Sequence, residues 1–253
     1  MVSIFLGSSP FWNAYTSSDG FGKLIFISLF FLSVTSWFLI AYKTWLLLEV
    51  RKRAFAFKEI VHKKQENFFS LDKNVSCVPK ELSNSFLEIY RTLRKQTLDL
   101  LRKNRQFMQR GKKEIGLEDD IEVYLSPSDV EFVDVSLQIT IAREKKILEK
   151  DLFYLSTIVS LAPFLGLLGT VWGILITFGD LQANTLGSSN QAVLGGLSMA
   201  LATTVVGLVV AIPALISFNY LKQKIRDFET EMESFSNDLL ATVEMLYRKV
   251  DVK

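Results

Sequence analysis

A chain of 253 residues, 49% hydrophobic and 22% charged, is either one large soluble domain or a small membrane protein, and the placement of its side chains decides which. The net charge of +2 excludes little, but a single cysteine, Cys77, and a single histidine, His62, exclude a disulfide framework and a zinc site built from this chain. No cofactor or metal is expected.

Residues 1–22 read as an outer N-terminal segment. Pro10, Phe11, Trp12 and Tyr15 within it suit an interfacial helix, since such aromatics settle at a membrane surface. The apolar run Leu24 to Tyr42 follows, with Lys43 at its far edge, and defines a first span over 23–48. No Lys or Arg precedes Lys23, the run is longer than a signal-peptide core, and Arg51, Lys52 and Arg53 follow it. A retained anchor is therefore expected.

Residues 49–150 are densely charged and read as a helical domain. Glu49 to Phe69 continues the first helix, and a turn-rich patch from Ser70 to Pro79 breaks it. A second helix is predicted from about Lys80 to Arg110, with Leu82, Phe86, Ile89, Leu93, Leu100 and Leu101 on one face. Its basic run Arg91, Arg94, Lys95, Arg102, Lys103 and Arg105 carries no nucleic-acid motif, and a solvated face drawn to anionic lipid is the better reading. Gly111 to Ser126 reads as a loop, acidic at Glu118, Asp119, Asp120 and Glu122. Ser126 and Pro127 then supply an N-cap and a first-turn proline. The helix they open is predicted to run through Val133, Leu137, Ile141 and Leu148 straight into the next span.

That second span, 151–179, and a third, 192–221, flank a short connection at 180–191. Asp180 is the only charge between Leu152 and Leu221. The third continues into a charged helix over 222–253, with Phe228, Met232, Phe235, Leu239 and Val243 at helical spacing. Of the 29 Lys and Arg, 22 lie between Lys43 and Lys150 and six follow Leu221. Basic residues collect on the cytoplasmic side. The expected architecture is an all-α membrane protein with three transmembrane helices extended into a cytoplasmic helical bundle, N-terminus outside and C-terminus inside.

The second and third spans are rich in small residues. Gly166, Gly169 and Gly173 in one, and Gly196, Ala200, Gly207 and Ala211 in the other, form stripes suited to close helix contact. Pro163 and Pro213 are expected to kink their helices. Packing alone explains the glycines well and the threonines Thr170, Thr203 and Thr204 less well. None of the three apolar cores contains an ionisable residue, so the chain offers hydroxyls but no titrating group for a proton relay. It shows no nucleotide loop, nucleophile elbow or metal cluster and does not read as an enzyme.

The run Ala162-Pro163-Phe164-Leu165-Gly166-Leu167-Leu168-Gly169-Thr170-Val171-Trp172-Gly173-Ile174 resembles the signature of the MotA/TolQ/ExbB proton-channel family. Ala200-Leu201-Ala202-Thr203-Thr204, then Gly207, Ala211-Ile212-Pro213-Ala214 and Asn219, is similar to the same family. The three-span layout matches ExbB and TolQ, and Ser36-Trp37 leans slightly to TolQ. The resemblance implies an inner-membrane motor driven by the proton-motive force. Its ring of subunits, typically a pentamer, encloses a single-span partner of the ExbD or TolR type that supplies the membrane aspartate. It implies that Thr170 and Thr203 face the pore, beside Thr204 and Ser198. Many members carry a glutamate where this chain has Ser198, and a hydroxyl cannot replace it as a titrating group. A scaffold whose stripes only pack is the alternative. A solute transporter would need a midplane site and usually a repeat, which the chain lacks.

Overall fold

The computed structural model describes residues 10–16, 18–63, 84–115, 124–183 and 190–247. Among them lie six helices: α1 Pro10–Thr16, α2 Gly20–Lys63, α3 Ser85–Ile115, α4 Pro127–Glu149, α5 Leu152–Ala183 and α6 Asn190–Tyr247. The chain divides into two compact units, one of residues 1–44 and 151–222, the other of 45–150 and 223–253. The long helices α2 and α6 contribute to both. The turn-rich patch with Cys77, the acidic stretch Glu118 to Glu122 and most of the short connection between the last two spans lie outside the described residues.

The first unit holds the apolar parts of α2, α5 and α6. Among the described residues, three helices are long and apolar enough to cross a membrane, over Gly20–Val61, Leu152–Gly179 and Val193–Tyr247. Ile25 and Leu29 of α2 are buried, as are Leu155 and Ile158 of α5, while Phe30, Phe31, Trp37, Phe38, Phe164 and Phe178 point outward. Aromatic surface on this scale is a liability in water and is solvated by lipid. The protein is an integral membrane protein. The Lys43 ammonium, 4% exposed, is buried here and meets the Asp151 carboxylate at 2.9 Å.

The second unit packs the charged half of α2, α3, α4 and the end of α6 around an aromatic core. Phe86 is fully buried between two parallel rings, Phe228 and Phe235, at centroid distances of 5.7 and 4.6 Å. Phe57 meets Tyr90 and Phe235 edge-on. From α4, Val133, Leu137, Ile141 and Leu148 face inward, and so do Thr140 and Glu144. The Ser85 hydroxyl donates to Glu144 at 2.8 Å, and Arg51–Glu231 and Lys145–Glu229 tie helix edges together. Ser126 caps α4 reciprocally with Asp129, and the Asn104 amide donates to the same carboxylate at 2.9 Å. Burial works against ionisation of Asp129, but hydrogen bonds from Ser126 and Asn104 outweigh it and hold its carboxyl below the ordinary range.

Two sequence expectations differ from this. The helix opened by Pro127 does not run unbroken into the second span: its hydrogen-bond ladder lapses at Lys150–Asp151, although Lys150 keeps right-handed helical dihedrals of −46° and −45°. Asp151 is engaged by Lys43 there, and Leu148 and Leu152 on either side belong to different units. Gly111, expected to begin a loop, lies inside α3, which runs to Ile115. One glycine costs a helix about 1 kcal/mol, too little to end it before Lys112, Lys113 and Glu114, which favour helix.

Candidate functional site: the glycine and threonine seam of α5 and α6

Helices α5 and α6 run antiparallel and meet along their small residues. A methyl placed on Gly207 would lie 2.7 Å from the Ala162 carbonyl oxygen. One on Gly166 would lie 3.0 Å from the Thr203 carbonyl oxygen, and one on Gly173 would lie 2.9 Å from that of Gly196. Backbone meets backbone at each point, which is the contact that glycine alone permits. Ala200 touches the Gly173 position, and Ala211 is buried one turn beyond Gly207. Pro163 and Pro213 stand inside α5 and α6 respectively.

The threonines divide into three environments. Thr203 is fully buried, its side chain filling the space left by the missing side chain of Gly169, and its hydroxyl faces the Ala200 and Met199 carbonyls at 2.8 and 3.2 Å. Thr204 donates across the seam to the Gly166 carbonyl at 3.1 Å. Thr170, partly exposed, donates back to Leu167 at 2.6 Å, and Ser198 is exposed. Ser198 is thus open to a neighbour and Thr170 and Thr204 are partly so, whereas Thr203 is enclosed.

One carboxylate stands beside this seam that the sequence reading passed over. Asp19 caps α2, its Oδ1 accepting from the Gly22 N–H at 2.9 Å, and its two oxygens face the Trp172 indole N–H at 3.3 and 3.1 Å. Some loss of hydration opposes ionisation of the exposed Asp19, but the hydrogen bonds from Gly22 and Trp172 outweigh it and hold the carboxyl below its usual range. An Asp directly ahead of an apolar run is a helix-start signal, so the cap was legible. Its contact with a residue far along the chain was not.

A three-span membrane protein with a charge-free, hydroxyl-bearing glycine seam between two spans belongs to a class built for close helix assembly in lipid. The comparisons make the class specific. The model of the MotA/TolQ/ExbB proton channel family matches residues 101–234, just over half of the chain. The biopolymer transport protein ExbB of Xanthomonas campestris is 40% identical over 116 residues, 45% of each chain. That of Aquifex aeolicus is 34% identical over 124 residues, covering 49% of this chain and 81% of its own. The Tol-Pal system protein TolQ of Pseudomonas aeruginosa is 35% identical over 121 residues, 48% of this chain and 51% of its own. The chain belongs to the MotA/TolQ/ExbB proton channel family. Its match spans about half the length of the Xanthomonas and Pseudomonas relatives.

Proposed function

We propose that this chain is a ring-forming subunit of an inner-membrane motor of the ExbB/TolQ kind, probing the proton-motive force through a path lined by α5 and α6. In this reading the ring is a homopentamer. It holds a single-span partner of the ExbD or TolR type, whose intramembrane aspartate provides the titrating group absent from these spans. Energy passes to the outer envelope, for biopolymer transport or for the Tol-Pal system. The N-terminus lies outside and the Lys- and Arg-rich segments next to the spans lie inside, as the accumulation of Lys and Arg there favours. One proton crossing 100 mV releases ~2.3 kcal/mol, so a few suffice for a conformational step.

The observation that carries this reading is the seam itself: close backbone contact, hydroxyls at Thr170, Thr203, Thr204 and Ser198, and no ionisable group on either helix core, in a chain whose family is one of proton channels. The test is proton uptake by liposomes holding the chain with and without its single-span partner, alongside the native mass of the complex. Partner-dependent uptake by a closed ring, abolished by Thr170→Ala, is expected. A ring that assembles with the partner and passes no protons would sink the motor reading.

One observation favours the scaffold alternative: Thr203 is wholly enclosed and hydrogen-bonded to its own helix, as a packing threonine would be. Thr203→Val separates the two. A scaffold tolerates it, because valine has nearly the same shape, while a conducting role for the hydroxyl does not.

A further inference from the structure

In the second unit, α4 is apolar on two sides. Val133, Leu137, Ile141 and Leu148 face the core. On the opposite side of the same helix, Phe132, Val135, Ile139 and Ala142 follow one another at spacings of three, four and three residues and form one stripe. Phe132, Val135 and Ile139 are 53%, 52% and 58% exposed, so no described residue covers them. The neighbouring helices show what a face meant for water looks like here: exposed positions are Arg91, Lys95 and Arg102 on α3, and Arg226, Ser234 and Asn237 on α6. A helix carrying apolar residues on opposite sides is suited to burial on both.

The packing of this unit places a second such face across from the first. α3 and α6 meet through the middle, Phe86 against Phe228 and Phe235. α2 touches both of them, through Phe57 on Tyr90 and on Phe235. α4 touches both as well, through Glu144 to Ser85 and Lys145 to Glu229. A packed pair of helices offers two grooves, so α2 and α4 flank it on opposite sides. On α2, Phe55, Ala56 and Ile60 are exposed, with Lys52 and Glu59 among them. The two faces are level. The Arg53 carbonyl accepts from Asn84, and Ser85 beside it donates to Glu144, so Arg53 and Glu144 share one height. α2 and α4 run antiparallel from there, since α3 meets Phe57 at Tyr90 and Thr140 at Thr92. Ala56 and Ala142 therefore lie three and two residues past that height, and Ile60 and Ile139 about 10 and about 8 Å past it.

We infer that the α4 stripe is a contact between copies of this chain and packs on the outer face of α2 in the next copy. This rests on the ring reading above and names the surface that joins its members outside the apolar spans. One face meeting a different face on the far side of an identical subunit is a head-to-tail contact, and such contacts close into rings when the rotation allows. Area decides between a ring neighbour and a freely diffusing partner. From Phe132 to Ala142 the stripe is about 15 Å long on a helix about 10 Å across, a footprint of roughly 150 Å². A free-standing stable interface takes about 800 Å² per partner. The stripe is too small to hold two soluble proteins together, and it suits copies whose spans already hold them side by side.

The test uses the full chain in membranes, co-expressed with its single-span partner and carrying Cys77→Ser so that only introduced thiols react. Ala56→Cys and Ala142→Cys are combined and treated with a short bis-maleimide. The two positions lie on opposite sides of one bundle, so a link within a copy is out of reach. A ladder of linked copies ending at the mass of the closed ring is expected, while either cysteine alone leaves the chain unlinked. Dimers from Ala142→Cys alone would show the stripe pairing with itself, and a link from it to the single-span partner would show a different occupant; each overturns the proposal. Ile139→Glu, added to the double-cysteine chain, should keep the helix content and lose most of the ladder, because it puts a charge into the contact. A ladder unchanged by Ile139→Glu overturns the proposal too. Native mass separates the failures: a monomeric wild-type chain overturns the ring reading itself, whereas a full-mass ring that yields no ladder overturns this contact alone.

Discussion

The closest backbone approach at a glycine of the α5–α6 seam can be tested with one methyl group. At Gly207 an added Cβ would meet the Ala162 carbonyl oxygen at 2.7 Å and the Gly166 Cα at 3.2 Å. A comfortable carbon–oxygen contact is ~3.4 Å, so Gly207→Ala requires the helices to part by about 0.7 Å. A gap of that size forfeits a quarter to a half of the dispersion energy of each contact along the seam, and overpacking of this kind costs about 1–3 kcal/mol. Alanine also gains about 1 kcal/mol of helix propensity over glycine, which would confuse a single measurement. Gly179→Ala, in the partner helix α5, removes the confusion, because it makes the same glycine-to-alanine change where nothing lies within 4 Å. Equilibrium unfolding of both variants in detergent should place Gly207→Ala about 1–3 kcal/mol below Gly179→Ala. Equal stabilities would mean that the backbones are not in contact at Gly207, and the account of the seam would fail.

Other perturbations follow from the same structure. Asp151→Asn and Lys43→Met should each lower stability and should combine with less than additive cost, since both break the same ion pair; a double-mutant cycle in detergent measures that coupling. Phe86→Ala empties the space between Phe228 and Phe235 and should cost about 3–5 kcal/mol in the second unit, seen as a lowered melting temperature. Ser126→Ala should cost about 1 kcal/mol of α4 stability. The Asp129 contribution is complete above the unfolded carboxylate pKa of ~3.9 and is lost as pH falls through the lower folded value, so Asp129→Asn should flatten the acid limb of a stability–pH curve. Thr204→Val removes the bond to Gly166 and should cost only about 0.6 kcal/mol, as interhelical hydrogen bonds in membranes do.

Much of this fold is legible along the chain because lipid leaves few options. A charge-free run must be a helix that satisfies its own backbone, and period alone places Phe228, Met232, Phe235, Leu239 and Val243 in the second unit's core. The seam was legible for the same reason, since a stripe of glycines on a helix has little use except contact. What could not be read is pairing. Lys43 looks like the boundary of a span, yet it lies inside α2 with its ammonium buried on Asp151. Asp19 reads as part of an outer tail until Trp172 is found beside it. Thr203 and Thr170 share a residue type and a motif, but only packing against Gly169 separates the enclosed hydroxyl from the open one.

That separation bears on how the seam could serve a proton. A threonine hydroxyl has one hydrogen and two lone pairs. The hydrogens of Thr170, Thr203, Thr204 and Thr177 are all committed to backbone carbonyls, at 2.6 to 3.1 Å. What remains on offer is acceptors. An acceptor welcomes a protonated acid or a water and gives nothing to a bare carboxylate, so a carboxyl group placed against such a surface has its neutral form favoured and its pKa raised. A raised pKa is what a partner's aspartate needs if it is to hold a proton at neutral pH and release it elsewhere. Thr170, Thr177 and Thr204 are each partly exposed, so on the conducting reading the contact falls to one of these three, and Thr170→Ala tests the first. Thr203, enclosed against Gly169, keeps its acceptor inside the seam, where Thr203→Val tests whether a proton path reaches it.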